Sequence, residues 1–190
     1  MKAGSRAPLD DLEFDELYRR HYPAVLKTIR IMLLNPVLAE DLAQETFLRA
    51  YRFRGRYDRS RPPGPWLQTI AANLVRSQMR RNKLLSILSL SGFRSEPVSE
   101  PAQWGVDTSL MTALAGLPRA ERTALVLHHV HGYDYAEVAS ILGIPTGTVG
   151  SQLNRARTRL RLALKDPGAG AGDGVPLHGS PPSPTGGDRA

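Results

Sequence analysis

The chain has 190 residues, a hydrophobic share of 41%, an aromatic share of 6% and a formal net charge of +7. That length holds one ordinary domain or two small ones, and the scarcity of aromatic residues favours two compact helical units over one large core. With no cysteine, a disulfide framework and a cysteine-ligated zinc or iron–sulfur centre are excluded. No apolar run approaches the roughly 18 residues that span a bilayer, and the N-terminus lacks the apolar core of a signal peptide. Membrane insertion is therefore not expected, and a cytoplasmic location is. The positive charge favours a polyanionic partner, because a protein that neutralises phosphates releases their condensed counterions.

Hydrophobic periodicity predicts an all-α fold. The first unit covers residues 10–88. From Leu12, the residues Phe14, Leu17, Tyr18, Tyr22, Val25, Leu26 and Ile29 recur at three- and four-residue spacing, with acidic residues in the opening turn, as in an amphipathic helix. Asn35-Pro36 breaks that helix. A second begins at about Val37, with Leu42, Phe47 and Tyr51 as its core positions. Arg54 to Pro65 is expected to be a loop stiffened by Pro62, Pro63 and Pro65. A third helix starts near Trp66, its inner stripe Leu67, Ile70, Ala71 and Leu74 with Met79, its outer face Arg76, Arg80, Arg81 and Lys83.

Helical periodicity disappears between about Ser91 and Asp107, where Pro97 and Pro101 interrupt. Residues 89–106 are expected to be a flexible linker. The second unit covers 107–165. Asp107 is a good N-cap for a short helix carrying Leu110 and Leu114 and ending at Gly116. Pro118 suits the first turn of the next helix, which carries Leu125, Leu127 and Val130 and stops at Gly132. Asp134 with Glu137 forms a capping-box pattern for a helix to Leu142. After the turn Gly143-Ile144-Pro145, the last helix runs from about Thr146 to Lys165 with Val149, Leu153, Ala156 and Leu160 inward. Glycine, proline and serine dominate residues 166–190, a composition expected to stay disordered because it buries too little apolar surface to offset its ordering entropy.

The chemistry sits in the second unit. Ala139 is small where two helices must cross, Gly143 suits a left-handed turn, and Ile144 and Val149 fill the wedge between the helices. A plain helical hairpin shares that spacing. The polar face of the last helix, with Ser151, Gln152, Asn154, Arg155, Arg157, Arg159 and Arg161, favours a helix-turn-helix whose second helix enters the major groove. His128, His129 and His131 with Asp134 and Glu137 do not bring three ligands to one helical face, so no metal is expected. No nucleophile–base pair and no glycine-rich phosphate loop is present, so neither catalysis nor a cofactor is expected.

The stretch YAEVASILGIPTGTVGSQLNRARTRLRLAL resembles region four of the ECF (extracytoplasmic function) sigma factors, where a helix-turn-helix reads the minus-thirty-five promoter element. The preceding LAGLPRAERTALVLHHVHGYDY is similar to the helix pair that leads into that region. On its own this half also fits response regulators of the LuxR type. In the first unit, AEDLAQETFLRAYR resembles the family's region two-point-two, which docks on the clamp helices of the polymerase β′ subunit, and PWLQTIAANLVRSQMRR resembles the helix that engages the minus-ten element. Together the matches cover roughly Phe14 to Leu164, in the family's order.

The resemblance implies a sigma factor that directs core RNA polymerase, through the β′ clamp and the β flap, to specific promoters and assists transcription initiation. It implies polymerase contacts at Asp41, Gln44 and Glu45 and minus-ten contacts at Asn73, Arg76, Arg80 and Arg81. For the recognition helix it implies DNA contacts at Thr148, Ser151, Gln152, Arg155 and Arg157. It implies an anti-sigma factor as a further partner. Trp66, at the start of its helix, is expected in the core rather than as a base-stacking wedge. The chain departs from the family pattern at Pro63, where an aromatic is usual, at Ser77, where an Asp is common, and at Gly150 and Gln152, where basic residues are usual. Two other readings fit the same residues: a helix-turn-helix regulator that does not recruit polymerase, and a helical adaptor whose basic face is merely solvated. Promoter sequence, inducing signal and the identity of an anti-sigma factor are not written in these residues.

Overall fold

The computed structural model describes residues 9–88 and 108–165; the expected linker, the N-cap Asp107 and the C-terminal tail lie outside the described residues. Among the described residues all regular structure is helical. The first unit comprises α1 (Asp11–Leu33), α2 (Pro36–Arg52), a short 3-10 turn (Arg54–Arg56) and α3 (Pro63–Leu88). The second comprises α4 (Thr108–Ala115), α5 (Arg119–Leu125), a wide π turn (Val126–Val130), α6 (Tyr135–Leu142) and α7 (Thr146–Lys165).

Local chemistry sets the boundaries. Asp10 accepts from the Glu13 amide at 2.8 Å while the Glu13 carboxylate accepts from the Asp10 amide at 3.0 Å, so two amides that α1 leaves unpaired are satisfied reciprocally. Leu34 ends α1 in the left-handed region (φ 57°), its amide donating to Arg30 O at 2.7 Å. Asn35 then caps α2 by accepting from the Leu38 amide at 3.0 Å, and Pro36 takes the first helical position. The same mechanism shifts the start of α3. Pro63 and Pro65 lie inside its first turn, where a missing N–H forfeits no helical bond, so they begin the helix instead of stiffening a loop. Trp66 sits one turn in.

The second unit follows suit. Asp134 and Glu137 form the expected capping box, at 2.8 and 2.9 Å. Gly143 ends α6 with φ 62°, a conformation a β-carbon would strain. The helix expected to run unbroken to Gly132 instead widens after Leu125, and the His131 amide donates to Val126 O, five residues back, at 3.2 Å. That widening turns His131 toward α1.

Phe14, Leu17, Val25 and Ile29 of α1 pack with Ala39, Ala43 and Phe47 of α2 and Leu67, Ala71 and Leu74 of α3. The alanines are fully buried and let the α2 axis approach its neighbours closely. Tyr51, expected in this core, is 36% exposed; its ring meets Phe14 edge-on, but its hydroxyl turns outward to Asp11 Oδ1 at 2.8 Å. In the second unit Leu127, Val138, Leu142, Val149, Leu153 and Ala156 fill the wedge between the helices.

The two units do not stand apart. α1 packs on α5 and α3 on α6, and both sets of apolar side chains belong to one continuous cluster. Arg122 pins the junction. Its Nη1 donates to Leu114, Ala115 and Leu117 carbonyls at 3.1, 3.2 and 3.3 Å, and its Nη2 crosses to Met32 O in the last turn of α1 at 3.1 Å. Burial, with Arg119 nearby, lowers its pKa to about 10, so the guanidinium remains charged at neutral pH. Thr28, which donates to Ala24 O at 3.0 Å, also meets His131 Nε2 at 2.6 Å. Replacing Arg122 by Met keeps an unbranched stem but strands these carbonyls. Arg122→Met should cost about 3 kcal/mol in urea unfolding; an unchanged midpoint would mean that water replaces the guanidinium.

Candidate nucleic-acid interface

The two helices expected to meet DNA, α3 and α7, present their arginines to the outside differently. On α3, Asn73, Arg80 and Arg81 are exposed. Arg76 is committed within the molecule: Nη1 donates to Asn73 Oδ1 at 2.9 Å and Nη2 to Leu142 O, the carbonyl that ends α6. Unpaired carbonyls and the negative end of the helix dipole attract a guanidinium there. Trp66 is half-buried, not a full core residue. Its ring stacks on Tyr57 with centroids 4.8 Å apart and 25° between planes, and the Tyr57 hydroxyl donates to Arg61 O. Burial raises the Tyr57 pKa, so its hydroxyl stays protonated.

On α7, a turn of 100° per residue puts Ser151, Asn154 and Thr158 opposite the buried stripe Val149–Leu153–Ala156, and all three are exposed. The centre of the outward face is therefore polar and uncharged, with arginines on its flanks. On one flank Arg155 and Arg159 converge on Glu121, Nε to carboxylate oxygens at 3.4 and 3.2 Å. The Glu121 side chain is 7% exposed and lies in the first turn of α5, where the helix dipole also favours a carboxylate. On the other flank Arg157 Nε donates to His129 Nε2 at 3.3 Å. Burial first, then His128 and Arg157, lowers the His129 pKa and keeps that ring neutral and able to accept.

The remaining sequence-predicted positions divide in the same way. Thr148 and Gln152 are half-buried, and Gln152 Oε1 is buried without a hydrogen-bond donor. Ser151 is outward, its hydroxyl donating back to Gly147 O at 3.0 Å. Gly150, expected in the base-reading turn, is turned toward α6: a β-carbon there would meet the Tyr135 ring at 3.7 Å, an ordinary contact.

A third surface lies on α2. Asp41 and Gln44 are exposed, while Glu45 is half-buried and bonded to Arg49 at 2.7 Å. Val37 and Leu48, 73% and 54% exposed, continue the row through Asp41 and Gln44 at intervals of four, three and four residues. The sequence reading passed over these two, although that interval is itself the signal of a second helical face. Glu121 left no such signal, since 34 residues separate it from Arg155 and only the fold joins them. Among the described residues no group of histidine and acidic side chains could hold a metal ion, and no helix is long and apolar enough to cross a membrane.

Comparison with known proteins assigns these surfaces to a family. The model for Sigma-70 region 2 matches residues 17–84 and that for Sigma-70, region 4 matches residues 107–160. The RNA polymerase sigma factor CarQ of Myxococcus xanthus is 35% identical over 158 residues, covering 80% of this chain and 88% of that protein. The ECF RNA polymerase sigma factor SigW of Bacillus subtilis is 30% identical over 174 residues, covering 84% and 89%. Among solved structures, the sigma factor RpoE in complex with the anti-sigma factor NepR from Bartonella quintana superposes with a TM-score of 0.73 at 30% identity, covering 80% of this chain and 97% of that one. CnrH in complex with the cytosolic domain of CnrY gives 0.60 at 25% identity, covering 82% and 90%.

The chain belongs to the sigma-70 family of transcription initiation factors, represented by regions two and four. Within that family it is an ECF RNA polymerase sigma factor.

The clamp on Glu121 gives this helix-turn-helix a measurable property. Glu121→Gln removes the charge that holds Arg155 and Arg159 and leaves both free to meet phosphate. Affinity for duplex DNA should rise across sequences, with the slope of log affinity against log salt steeper by about one to two units. Fluorescence titration at several salt concentrations measures this; an unchanged slope would mean that both arginines already reach DNA.

Proposed function

We propose that α2 is the polymerase-docking element, α3 the minus-ten element reader and α7 the minus-thirty-five reader, and that the chain carries core RNA polymerase to promoters through all three. Residues 10–88 and 107–165 serve as the two working domains. The observation that carries this reading is the row Val37, Asp41, Gln44 and Leu48 on α2. Its apolar ends flank polar side chains, and nothing among the described residues covers it. An interface typically has such a makeup, with apolar anchors giving area and polar groups fixing register. Glu45, held by Arg49, borders it.

On α3, Asn73, Arg80 and Arg81 supply phosphate and base contacts, with Arg76 joining them once it leaves Leu142 O. On α7 the division of labour follows the geometry. Ser151 and Asn154 at the centre suit base edges, and Arg157 suits phosphates on its flank, since phosphate contacts position the duplex while base contacts specify it. Thr148, Gln152 and Arg155 line the opposite flank. The solved relatives are complexes with an anti-sigma factor and with CnrY. By analogy an anti-sigma factor is a partner here, and the chain works in the cytoplasm, where polymerase and DNA are.

Run-off transcription with purified core polymerase on a library of genomic fragments tests the reading. Transcripts starting at a shared upstream motif are expected. The double variant Gln44→Ala, Glu45→Ala should lower transcription and core-polymerase affinity at least about tenfold with its helical circular dichroism intact, since Ala is a good helix former. Sequence-selective DNA binding without any transcript would instead identify a regulator that does not recruit polymerase.

A further inference from the structure

A cleft of about 260 Å³ lies between α3 and α5. Its walls are apolar, with Met32 and Val75 from the first unit and Leu142 and Ile144 from the second. Arg76, Arg119 and Gln152 bring polar groups to it. Apolar walls with a few convergent polar groups are the usual makeup of a small-molecule site. Drug-sized ligands occupy roughly 300–1,000 Å³. This cleft has room for roughly nine groups the size of a water molecule, so its ligand is smaller.

The chain does not satisfy the polar groups of this cleft. Among the described residues Arg119 makes no hydrogen bond or ion pair, and the charge it meets is that of Arg122, a like one. Arg119 is exposed along much of its length, yet desolvation lowers its pKa and no carboxylate opposes the shift. The single acid of α5, Glu121, is spent on Arg155 and Arg159. Arg76 and Arg122 bond to carbonyl oxygens and also lack a carboxylate, and Arg122 Nε is buried without an acceptor. Gln152 Oε1 is buried without a donor. Guanidinium groups gathered without a carboxylate favour an anion, and an orphaned carbonyl favours a hydrogen-bond donor.

We propose that this cleft binds a small hydroxy acid, its apolar body against Met32, Val75, Leu142 and Ile144, its carboxylate on Arg119 and its hydroxyl donating to Gln152 Oε1. The walls decide for a carboxylate over a phosphate. A phosphate monoester brings about two charges and three strong acceptor oxygens, more than one unpaired guanidinium can satisfy against apolar side chains. Arg76 and Gln152 are among the residues given above to promoter DNA, so an occupied cleft withholds them and lowers DNA affinity. That consequence rests on the reading of α3 and α7 as promoter-reading helices; the site itself does not.

Titration of the full chain, labelled with carbon-13 in its methionine methyl groups, tests it. The probes are phenylacetate, 3- and 4-hydroxyphenylacetate, and 4-hydroxyphenylacetamide. Met32 lines the cleft and Met111 does not, so a ligand seated there moves the first methyl resonance and spares the second. One of the two hydroxyphenylacetates should bind with a dissociation constant on the order of 1 mM or below, as a ligand of this size can. Phenylacetate should bind about threefold more weakly and the neutral amide about tenfold, from the loss of one hydrogen bond and of one charge-assisted contact. Arg119→Gln, at a surface position outside both cores, should weaken the acids about tenfold and leave the amide unchanged. Ala120→Leu, which fills the cleft from an exposed helical position, should abolish binding of every probe. A saturating hydroxy acid should weaken binding of a labelled promoter duplex about threefold in the wild type, as expected when two of several contacts are withheld. A Met32 resonance that no probe moves, or binding that survives Ala120→Leu, would overturn the site. Equal affinity for acid and amide, or no effect of Arg119→Gln, would overturn the carboxylate. Equal affinity for phenylacetate and both phenols would overturn the role of Gln152, and unchanged duplex affinity would overturn the competition. If the chain binds no duplex at low salt with or without ligand, the promoter reading falls instead, and the Met32 titration still decides the site.

Discussion

The structure turns on a buried guanidinium. Every helix leaves its last carbonyls unpaired, and burying two such ends in one junction without donors would be costly. α1 and α4 both end at the junction between the units, and Arg122 serves both, with Nη1 on three carbonyls around the end of α4 and Nη2 on Met32 O. A planar fork with five donors suits that task; an ammonium group offers three donors and is more strongly hydrated. Among the described residues no carboxylate pairs with Arg122; the carbonyl dipoles do, and its pKa falls only to about 10. With α5 seated on α1 in this way, the wide turn after Leu125 carries His131 to Thr28 and lays α6 along α3.

The same economy governs the recognition helix. Five basic residues on α7 suggest a uniformly cationic face, but the fold sorts them. Arg155 and Arg159 neutralise a carboxylate that has almost no water, and Arg157 leans on His129. The outward centre is left to Ser151, Asn154 and Thr158. Hydroxyl and amide groups discriminate base edges better than they bind phosphate, whereas guanidinium groups on a flank can do either. The loss of a basic residue at Gly150 fits this arrangement, because that position faces Tyr135 and not open solvent.

Much of this was legible in the residues. The acidic opening turn of α1, the capping box at Asp134, the Asn35-Pro36 break and the stripe Val149–Leu153–Ala156 are local signals, and local chemistry decides them; the capping box at Asp10 is a signal of the same kind that went unread. Pro63 and Pro65 misled because proline both stiffens loops and opens helices, and only the residues after it tell which. Tyr51 has the periodicity of a core residue, but a phenol can place its ring edge on Phe14 and its hydroxyl in water. The wide turn at Val126 breaks no sequence rule, since nothing in VLHHV opposes a regular helix. Least legible was the junction. Composition suggested two independent cores, while Arg122, Met32, Thr28 and His131 are brought together by packing between elements 90 or more positions apart. The outward residues of α2 were legible only in part: Asp41 and Gln44 followed from the family resemblance, whereas Val37 and Leu48, apolar and exposed, were assigned to no face.

The absence of cysteine permits a direct measurement. Spin labels at Glu16→Cys on α1 and Ala136→Cys on α6, both exposed positions, report the distance between the units by double electron–electron resonance. The free chain should give one narrow, short distance, replaced on addition of core RNA polymerase and promoter DNA by one longer by several tens of ångströms, about the scale that separates the two promoter elements. A broad distribution in the free chain, or the same short distance in the transcription complex, would contradict the account.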